Sequence, residues 1–248
     1  MINADGLNPR AAIDRFFNTK LTATQLLRSL AVYRGWQVPA RLENLVPVFT
    51  DFDLGNGAKH FFLFSDKDAY LECRNKIGID ILGDYYVGNV AGHSAFDAIK
   101  DDVDVVNINP YSPQEVHYTR EQIERLKAWA RIVKTEMALE SAHSSMRGYA
   151  AIRSFSDYYF VMEDEQYVAL APDGRGRKLA AIFTADDALD SFLERNPKPN
   201  RRPVPIGGEA LFGAIRKMPL DGFVFNCSGP MKPAMFPLSF AAEILEKG

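Results

Sequence analysis

The stretch Val103 to Pro113, VDVVNINPYSP, has a counterpart near the end of the chain, Leu220 to Pro230, LDGFVFNCSGP. In both stretches an Asp precedes a short apolar run, an Asn ends the run, and a turn with Ser and Pro follows. A short apolar run bounded by turn residues is typical of a buried strand, and Asn109 and Asn226 favour an Asx-type turn at its end. The repeat predicts two related strands in two related units.

Other short patterns recur around these stretches in the same order. The matches are Phe64-Ser65 with Phe183-Thr184, Asp68-Ala69 with Asp187-Ala188, Phe96 to Ile99 with Phe212 to Ile215, Asp104 with Asp221, and Thr119 with Ser239. Such a series at nearly constant spacing predicts an internal duplication, although two copies are too few for a solenoid. We therefore expect an α+β protein of two tandem, pseudo-symmetric units, each with a mixed or antiparallel sheet and flanking helices.

The expected domain organisation has three parts. Residues 1–35 form a helical preface, in which Thr22 and Gln25 make a capping box. Residues 36–148 form the first unit together with a connecting helix, and residues 149–248 form the second unit.

A long amphipathic helix is predicted from Thr119 to about Ser141 and joins the two units. Its apolar stripe contains Ile123, Leu126, Trp129, Ala130, Val133 and Met137. We expect the stripe to pack on the chain itself; the alternative is a surface for a partner helix or a second copy.

Local patterns assign three further segments. The run Ile79 to Leu82 is typical of a strand. The small, polar segment from Ala142 to Ser156 is typical of a boundary between units. Ser65 and Thr184 are the expected N-caps of the helices that follow them.

Composition and charge set broad limits on function. The 248 residues are 47% hydrophobic and 25% charged, which is typical of a soluble globular protein. The net charge of −3 gives no global attraction to nucleic acid or to an anionic membrane. Two cysteines, Cys73 and Cys227, predict no disulfide framework, and no secretory signal or membrane span is expected. A cytoplasmic location is therefore the expectation.

The sequence also resembles a known family. FLFSDKDA (Phe62 to Ala69) and VNINPYSP (Val106 to Pro113), repeated as AIFTADDA (Ala181 to Ala188) and FVFNCSGP (Phe223 to Pro230), are similar to motifs of the SseB family of bacterial cytoplasmic proteins, named for enhanced serine sensitivity. The resemblance covers roughly residues 37–127 and 158–248, and Cys227 stands where Pro110 follows the first Asn. It implies tandem SseB-like units in a cytoplasmic protein, and it implies no catalytic residue.

Motifs that carry chemistry are not apparent in the sequence. The histidines His60, His93, His117 and His143 lack the spacing of a zinc site, and no P-loop, dinucleotide fingerprint or nucleophile elbow is present. An acidic cluster at Asp101, Asp102 and Asp104 does not have the spacing of a calcium loop. We therefore expect no cofactor, no metal and no enzymatic activity.

Two kinds of residue are candidates for binding a partner. The first are the Asn turns: Asn109, Pro110 and Tyr111 in the first copy, and Asn226, Cys227 and Ser228 in the second. The alternative role of each Asn is to hold its own turn. The second are basic loops of the second unit that contain Arg175, Arg177, Lys178, Arg201 and Arg202; the alternative is that they are merely solvated.

The sequence favours a non-enzymatic protein that acts by protein–protein interaction, because a duplicated fold without a catalytic constellation is suited to presenting surface. The alternative is a small-ligand or anion-binding sensor that uses the cleft between the two halves. A protein partner is expected, nucleic acid and membrane are not, and a homo-oligomer is an open alternative.

Overall fold

The computed structural model describes residues 7–44, 46–55, 57–82, 85–142, 147–164, 167–171, 173–230 and 232–248. The fold is α+β, with helices that accompany mixed and antiparallel sheets. It divides into two compact units, Met1–Val133 and Lys134–Gly248.

Unit 1 begins with a helix pair and contains two sheets. Its elements are α1 (Pro9–Phe17), α2 (Ala23–Val32), β1 (Trp36–Glu43), β2 (Val46–Phe49), β3 (Asp51–Asp53), β4 (Lys59–Leu63), α3 (Lys67–Ile77), α4 (Ile79–Leu82), β5 (Tyr86–Val90), α5 (Gly92–Asp97), β6 (Val105–Ile108), β7 (Val116–Thr119) and the first part of α6 (Arg120–Ser141). The strand orders are β2-β1-β5 and β3-β4-β6-β7.

Unit 2 begins with the last part of α6 and is built on one sheet. Its further elements are α7 (Arg147–Ser154), β8 (Tyr158–Glu163), β9 (Tyr167–Val168), β10 (Leu179–Phe183), α8 (Asp186–Arg195), β11 (Arg201–Ile206), α9 (Gly208–Ile215), β12 (Gly222–Phe225), β13 (Ala234–Pro237) and α10 (Ser239–Lys247). The strand order is β11-β8-β10-β12-β13, and β9 pairs with β8.

The repeated stretch forms the strand that was predicted from it in each unit. In unit 1, β6 pairs parallel with β4 and antiparallel with β7. In unit 2, β12 pairs parallel with β10 and antiparallel with β13. Phe64, Ile108, Phe183 and Phe225 are all buried, as their apolar runs predict.

A helix packs against the first long strand of each unit through equivalent bonds. The Trp36 indole donates to the Leu30 carbonyl at 3.1 Å, and the Tyr158 hydroxyl donates to the Ile152 carbonyl at 2.8 Å. These bonds tie α2 to the start of β1 and α7 to the start of β8. The described part of the segment 1–35, with α1 and α2, therefore belongs to unit 1, and α7 has the corresponding place in unit 2.

In each unit a glycine at the start of a later helix allows a close approach to the helix just described. Gly92 of α5 approaches α2, and Gly208 of α9 approaches α7. A Cβ on Gly92 would lie 2.2 Å from the Leu30 carbonyl oxygen, and one on Gly208 would lie 2.4 Å from the Arg153 carbonyl oxygen. Only glycine fits such an approach without movement of the backbone. These pairs of contacts support the duplication, and superposition of the two units as copies stays a prediction.

The unit boundary differs from the expected one. It falls between Val133 and Lys134, inside α6, whereas the sequence indicated residues 148 and 149. The segment from Ala142 to Ser156, where the boundary was expected, contains the helix α7. The reason is that the end of α6 and the whole of α7 pack within unit 2, where Glu136 of α6 bonds to Thr184.

The predicted stripe of α6 is buried in the chain. Ile123, Leu126, Trp129, Ala130 and Val133 are all at most 7% exposed, and Met137 is half-buried. The Arg28 guanidinium lies 4.9 Å from the centre of the Trp129 ring. The stripe therefore packs on the chain itself.

The segment Ile79–Leu82 is a short helix, so the strand prediction is wrong. The helix α3 ends at Gly78, and the Leu82 amide donates to the Gly78 carbonyl at 3.2 Å in a new helical turn. Leu82 is buried while Ile79 and Ile81 are exposed. A four-residue apolar run does not distinguish strand from helix by its period.

Both predicted N-caps are wrong by one residue. Asp66 caps α3, because its side chain accepts from the Ala69 amide at 2.8 Å, and Ala185 occupies the cap position of α8. Ser65 and Thr184 each precede the cap. Their amides donate to the side chains of Asn109 and Asn226 instead.

Candidate functional site

The two Asn corners are structural. Asn109 and Asn226 adopt left-handed backbone conformations with φ of 47° and 53°, which Asn tolerates better than most residues. Their Oδ1 atoms accept from the amides of Ser65 at 2.8 Å and Thr184 at 3.0 Å. Each side chain therefore ties its strand to the end of the neighbouring parallel strand. It does not hold its own turn, and it is not presented to a partner, because both residues are buried.

The corners differ in how the amide nitrogen is used. Asn226 Nδ2 donates to Thr184 Oγ1 at 2.8 Å and to Glu136 Oε1 at 3.3 Å. Asn109 Nδ2 is buried and has no hydrogen-bond partner among the described residues. A buried polar network such as that around Asn226 fixes a unique packing only when each of its polar groups has a hydrogen-bond partner.

The remaining corner residues differ in their exposure. Pro110 is buried and Ser228 is 9% exposed. Cys227 is half-buried, and burial raises the pKa of its thiol. Tyr111 is 45% exposed, and Lys76 Nζ donates to its carbonyl at 3.1 Å. Tyr111 alone of these side chains presents a substantial surface.

Two of the basic candidates, Arg177 and Arg201, form ion pairs with carboxylates. Arg201 also lies in a strand and not in a loop. Arg177 forms an ion pair with Asp173 at 3.1 Å. Arg201 and Arg202 begin the strand β11, which a segment containing two prolines did not suggest. The Arg201 side chain is only 7% exposed; its Nε donates to Glu163 Oε1 at 2.9 Å, and its guanidinium lies 5.0 Å from the Phe192 ring centre. Arg201 is therefore a structural residue, whereas Arg175 and Arg202 are exposed.

Lys178 and Arg201 meet at a groove of about 550 Å³ in unit 2. Strand β8, the segment around β9 and the loop between α9 and β12 form its walls. The apolar residues that line it are Met162, Val168, Leu170, Met218, Pro219 and Leu220. The charged residues that line it are Glu163, Lys178, Lys198 and Arg201. Candidates from two different basic segments, Lys178 and Arg201, therefore line the same groove.

The charged side chains that line the groove differ in whether they form ion pairs with described residues. Glu163 accepts from Lys198 at 2.8 Å and from Arg201. Burial favours a higher pKa for Glu163, but the hydrogen bonds from these two cations outweigh it and lower the pKa. The exposed Lys178 ammonium forms no ion pair with any described residue. The lining therefore carries more positive than negative charge.

Lys178 has a close counterpart in unit 1. The Lys178 amide donates to Asp221 Oδ2 at 2.7 Å, and the Lys59 amide donates to Asp104 Oδ2 at 2.9 Å. Each lysine carbonyl accepts in return from the amide of the same aspartate. The Lys59 ammonium, however, pairs with Asp102, which lowers the pKa of that carboxyl.

Two positions around these lysines have changed chemistry between the units. Asp51 pairs with Phe61 of β4, and Leu170 pairs with Ala180 of β10. Asp102 precedes Asp104 by two residues, as Pro219 precedes Asp221. Two acids of unit 1 therefore correspond to Leu170 and Pro219, which line the groove of unit 2. The match of Asp102 with Pro219 follows from the aligned Asp104 and Asp221 in the sequence, whereas the match of Asp51 with Leu170 requires the strand pairing.

The acidic cluster and the histidines of unit 1 are engaged in local bonds. Asp101 pairs with Lys127 at 2.6 Å and Asp104 with Arg120 at 3.0 Å. Asn107 bridges two rings, since its amide lies 3.0 Å from His60 Nδ1 and 2.7 Å from His117 Nδ1. Within the described ranges, no three His, Cys, Asp or Glu side chains are grouped as a metal site would require; His143 lies outside those ranges.

Comparisons with known proteins add no family to this description. No protein-family model matches the chain, and no curated protein matches it. The resemblance to the SseB family therefore stays a prediction. Among the helices that the structure describes, none has the length and apolar character needed to cross a bilayer.

Proposed function

We propose that the chain is a non-enzymatic, cytoplasmic SseB-like protein that acts by binding another protein. The groove of unit 2 receives a segment of that partner. The observation that carries the proposal is the groove itself, with six apolar side chains and cationic groups at one surface. Grooves of this kind are typical of binding sites, because water leaves the apolar lining when a ligand enters.

The chemistry of the cysteines agrees with a non-enzymatic role. Burial raises the pKa of Cys73 to about 12 and also raises that of Cys227. A thiol acts as a nucleophile through its thiolate, which a raised pKa makes scarce at neutral pH. Neither thiol is therefore prepared for covalent chemistry.

The edge strand next to the groove favours recognition by side chains over addition of a strand. In an antiparallel ladder the amides of alternate residues point to the same side, so Arg201, Pro203 and Pro205 share one side of β11. Both prolines lack an amide N–H, and the Arg201 amide donates to the Lys198 carbonyl at 3.3 Å. An incoming strand would find few donors there.

A small-ligand sensor is the second candidate function. The groove volume of about 550 Å³ lies within the range of roughly 300 to 1,000 Å³ that is typical of small-molecule sites. In this case the ligand would occupy the groove of unit 2.

Site-specific photocrosslinking of the full chain in host cells tests the proposal. A photoreactive benzoylphenylalanine replaces Leu170, which is 41% exposed at the groove, or Ile79, a matched control that is 51% exposed in unit 1. We expect a discrete protein adduct from position 170 alone, and Met218→Arg, which blocks the groove, should abolish it. No adduct, or the same adduct from both positions, would contradict the proposal. An adduct of small-molecule mass would favour the sensor.

A further inference from the structure

We infer that the partner segment carries an acidic side chain next to apolar ones, and that its carboxylate pairs with the ammonium of Lys178. This inference rests on the proposed function and adds the chemistry of the partner. It makes Lys178 the residue that determines specificity in an otherwise apolar groove.

The first step is the comparison of two lysines in the same backbone setting. Lys59 is the first residue of β4 and Lys178 immediately precedes β10, and both lysines share the same backbone bonds to an aspartate. The aspartate does not distinguish them, because Asp104 and Asp221 are both present. What differs is the second carboxylate, since Asp102 neutralises the Lys59 ammonium and Pro219 takes that position beside Lys178. A carboxylate from a partner would restore the missing charge.

The second step is the change from charged to apolar surroundings. In unit 1, Asp51 pairs with Lys100, and this bond lowers the pKa of Asp51. Leu170 takes the place of Asp51 in unit 2 and is 41% exposed at the groove. The ion-paired Asp51 and Asp102 of unit 1 therefore correspond to Leu170 and Pro219, which line an open groove in unit 2. Apolar side chains of a partner fit that surface.

The third step concerns the other cations of the groove. Lys198 and Arg201 both bond to Glu163, so their charge is already shared with a carboxylate. Lys178 is the lining cation without such a bond in the part of the chain that the structure describes. An apolar groove strengthens an ion pair at its margin, because water is partly excluded when the partner is seated.

Selection from a random dodecapeptide display library on the full chain tests the inference. We expect the selected pool to be enriched in sequences with Asp or Glu beside Leu, Ile, Phe or Met. Against Lys178→Met, binding of these peptides should fall by about three- to tenfold, the range for a partly desolvated ion pair. The matched control is Lys59→Met, which should bind as the parent chain does.

A third variant imitates unit 1 directly. Pro219→Asp places a carboxylate where Asp102 stands in unit 1, so it should pair with Lys178 and weaken peptide binding as strongly as Lys178→Met. Melting temperatures of all variants check that the fold is kept. If no pool is enriched, or if the pool shows no acidic preference, or if both lysine variants bind alike, the inference is overturned. If apolar peptides are enriched and their binding depends on Met218 but not on Lys178, the inference fails while the proposed function is kept.

Discussion

The side-chain amide of Asn226 lies 3.3 Å from the buried carboxylate of Glu136, and the Thr184 hydroxyl bonds to both. Glu136 is 3% exposed and belongs to α6, so the network ties the helix to the strand end in unit 2. In unit 1, Asn109 Nδ2 is buried and has no hydrogen-bond partner among the described residues. The two corners thus share one backbone geometry and differ in their buried polar partners.

Replacement of Asn226 by Asp tests this network. Asn226→Asp exchanges the donor that faces Glu136 for an oxygen, and two carboxyl groups at this distance do not ionise together without cost. We expect a loss of about 1–3 kcal/mol in the free energy of unfolding, measured by urea denaturation. Adding Glu136→Gln should recover most of the loss, because an amide again faces a carboxylate. Purely additive effects of the two changes would contradict the network.

The bridge between His60 and His117 provides a second test. Val224 of unit 2 corresponds to Asn107, and Leu179 corresponds to His60, by their places in the paired strands. Asn107→Val removes the group that bonds to His60 Nδ1, and we expect a loss of about 1–3 kcal/mol. His60→Leu in the same chain should restore part of it, because no ring nitrogen is then left buried. If the double variant melts at a lower temperature than Asn107→Val alone, the bridge is not what stabilises these strands.

The sequence predicts those parts of the fold that depend on neighbouring residues. The capping box of Thr22 and Gln25 is present, and the Thr119 amide donates to Gln122 at the start of α6. Local sequence does not show that Asp66 and Ala185, rather than Ser65 and Thr184, occupy the cap positions. The Ser65 and Thr184 amides are bonded to Asn side chains that lie far away in the sequence. The strand β11 was missed because Pro203 and Pro205 are rare within strands, except at an edge.

The sequence does not predict the groove, for a different reason. It forms where Leu170, Met218 and Pro219 come together around the sheet, and none of them belongs to a motif. In the sequence, Lys178 is distinguished from other loop residues by its charge alone. Only the folded structure shows that the Arg201 side chain forms an ion pair with Glu163 and that the Lys178 ammonium forms none with a described residue.

Arg201 and Arg202 should respond differently to the same substitution. Arg201→Ala removes the bonds to Glu163 and the contact with Phe192, so it should cost about 1–3 kcal/mol in urea melts. Arg202→Ala changes an exposed side chain and should stay within about 0.5 kcal/mol of the parent. Equal effects of the two substitutions would show that Arg201 behaves as a solvated loop residue.

The lowered pKa of Glu163 predicts how stability depends on pH. An unfolded Glu titrates at about pH 4.3, and the folded pKa of Glu163 lies below its ordinary value. The stabilisation is therefore present above the unfolded pKa and is lost as the pH falls through the folded pKa. The stability difference between the parent and Glu163→Gln should be constant near neutral pH and shrink in acid. A difference that grows on acidification would contradict the ion pairs.

The most direct measurement of the central claim is a double-mutant cycle between Lys178 and a peptide carboxylate. Calorimetric titration compares one selected acidic peptide with its Glu-to-Gln analogue, on the parent chain and on Lys178→Met. We expect the analogue to bind up to about tenfold more weakly to the parent, and within about twofold of the acidic peptide to Lys178→Met. Lys59→Met should behave as the parent does. An equal loss of affinity on the parent and on Lys178→Met would show that the carboxylate does not bind Lys178.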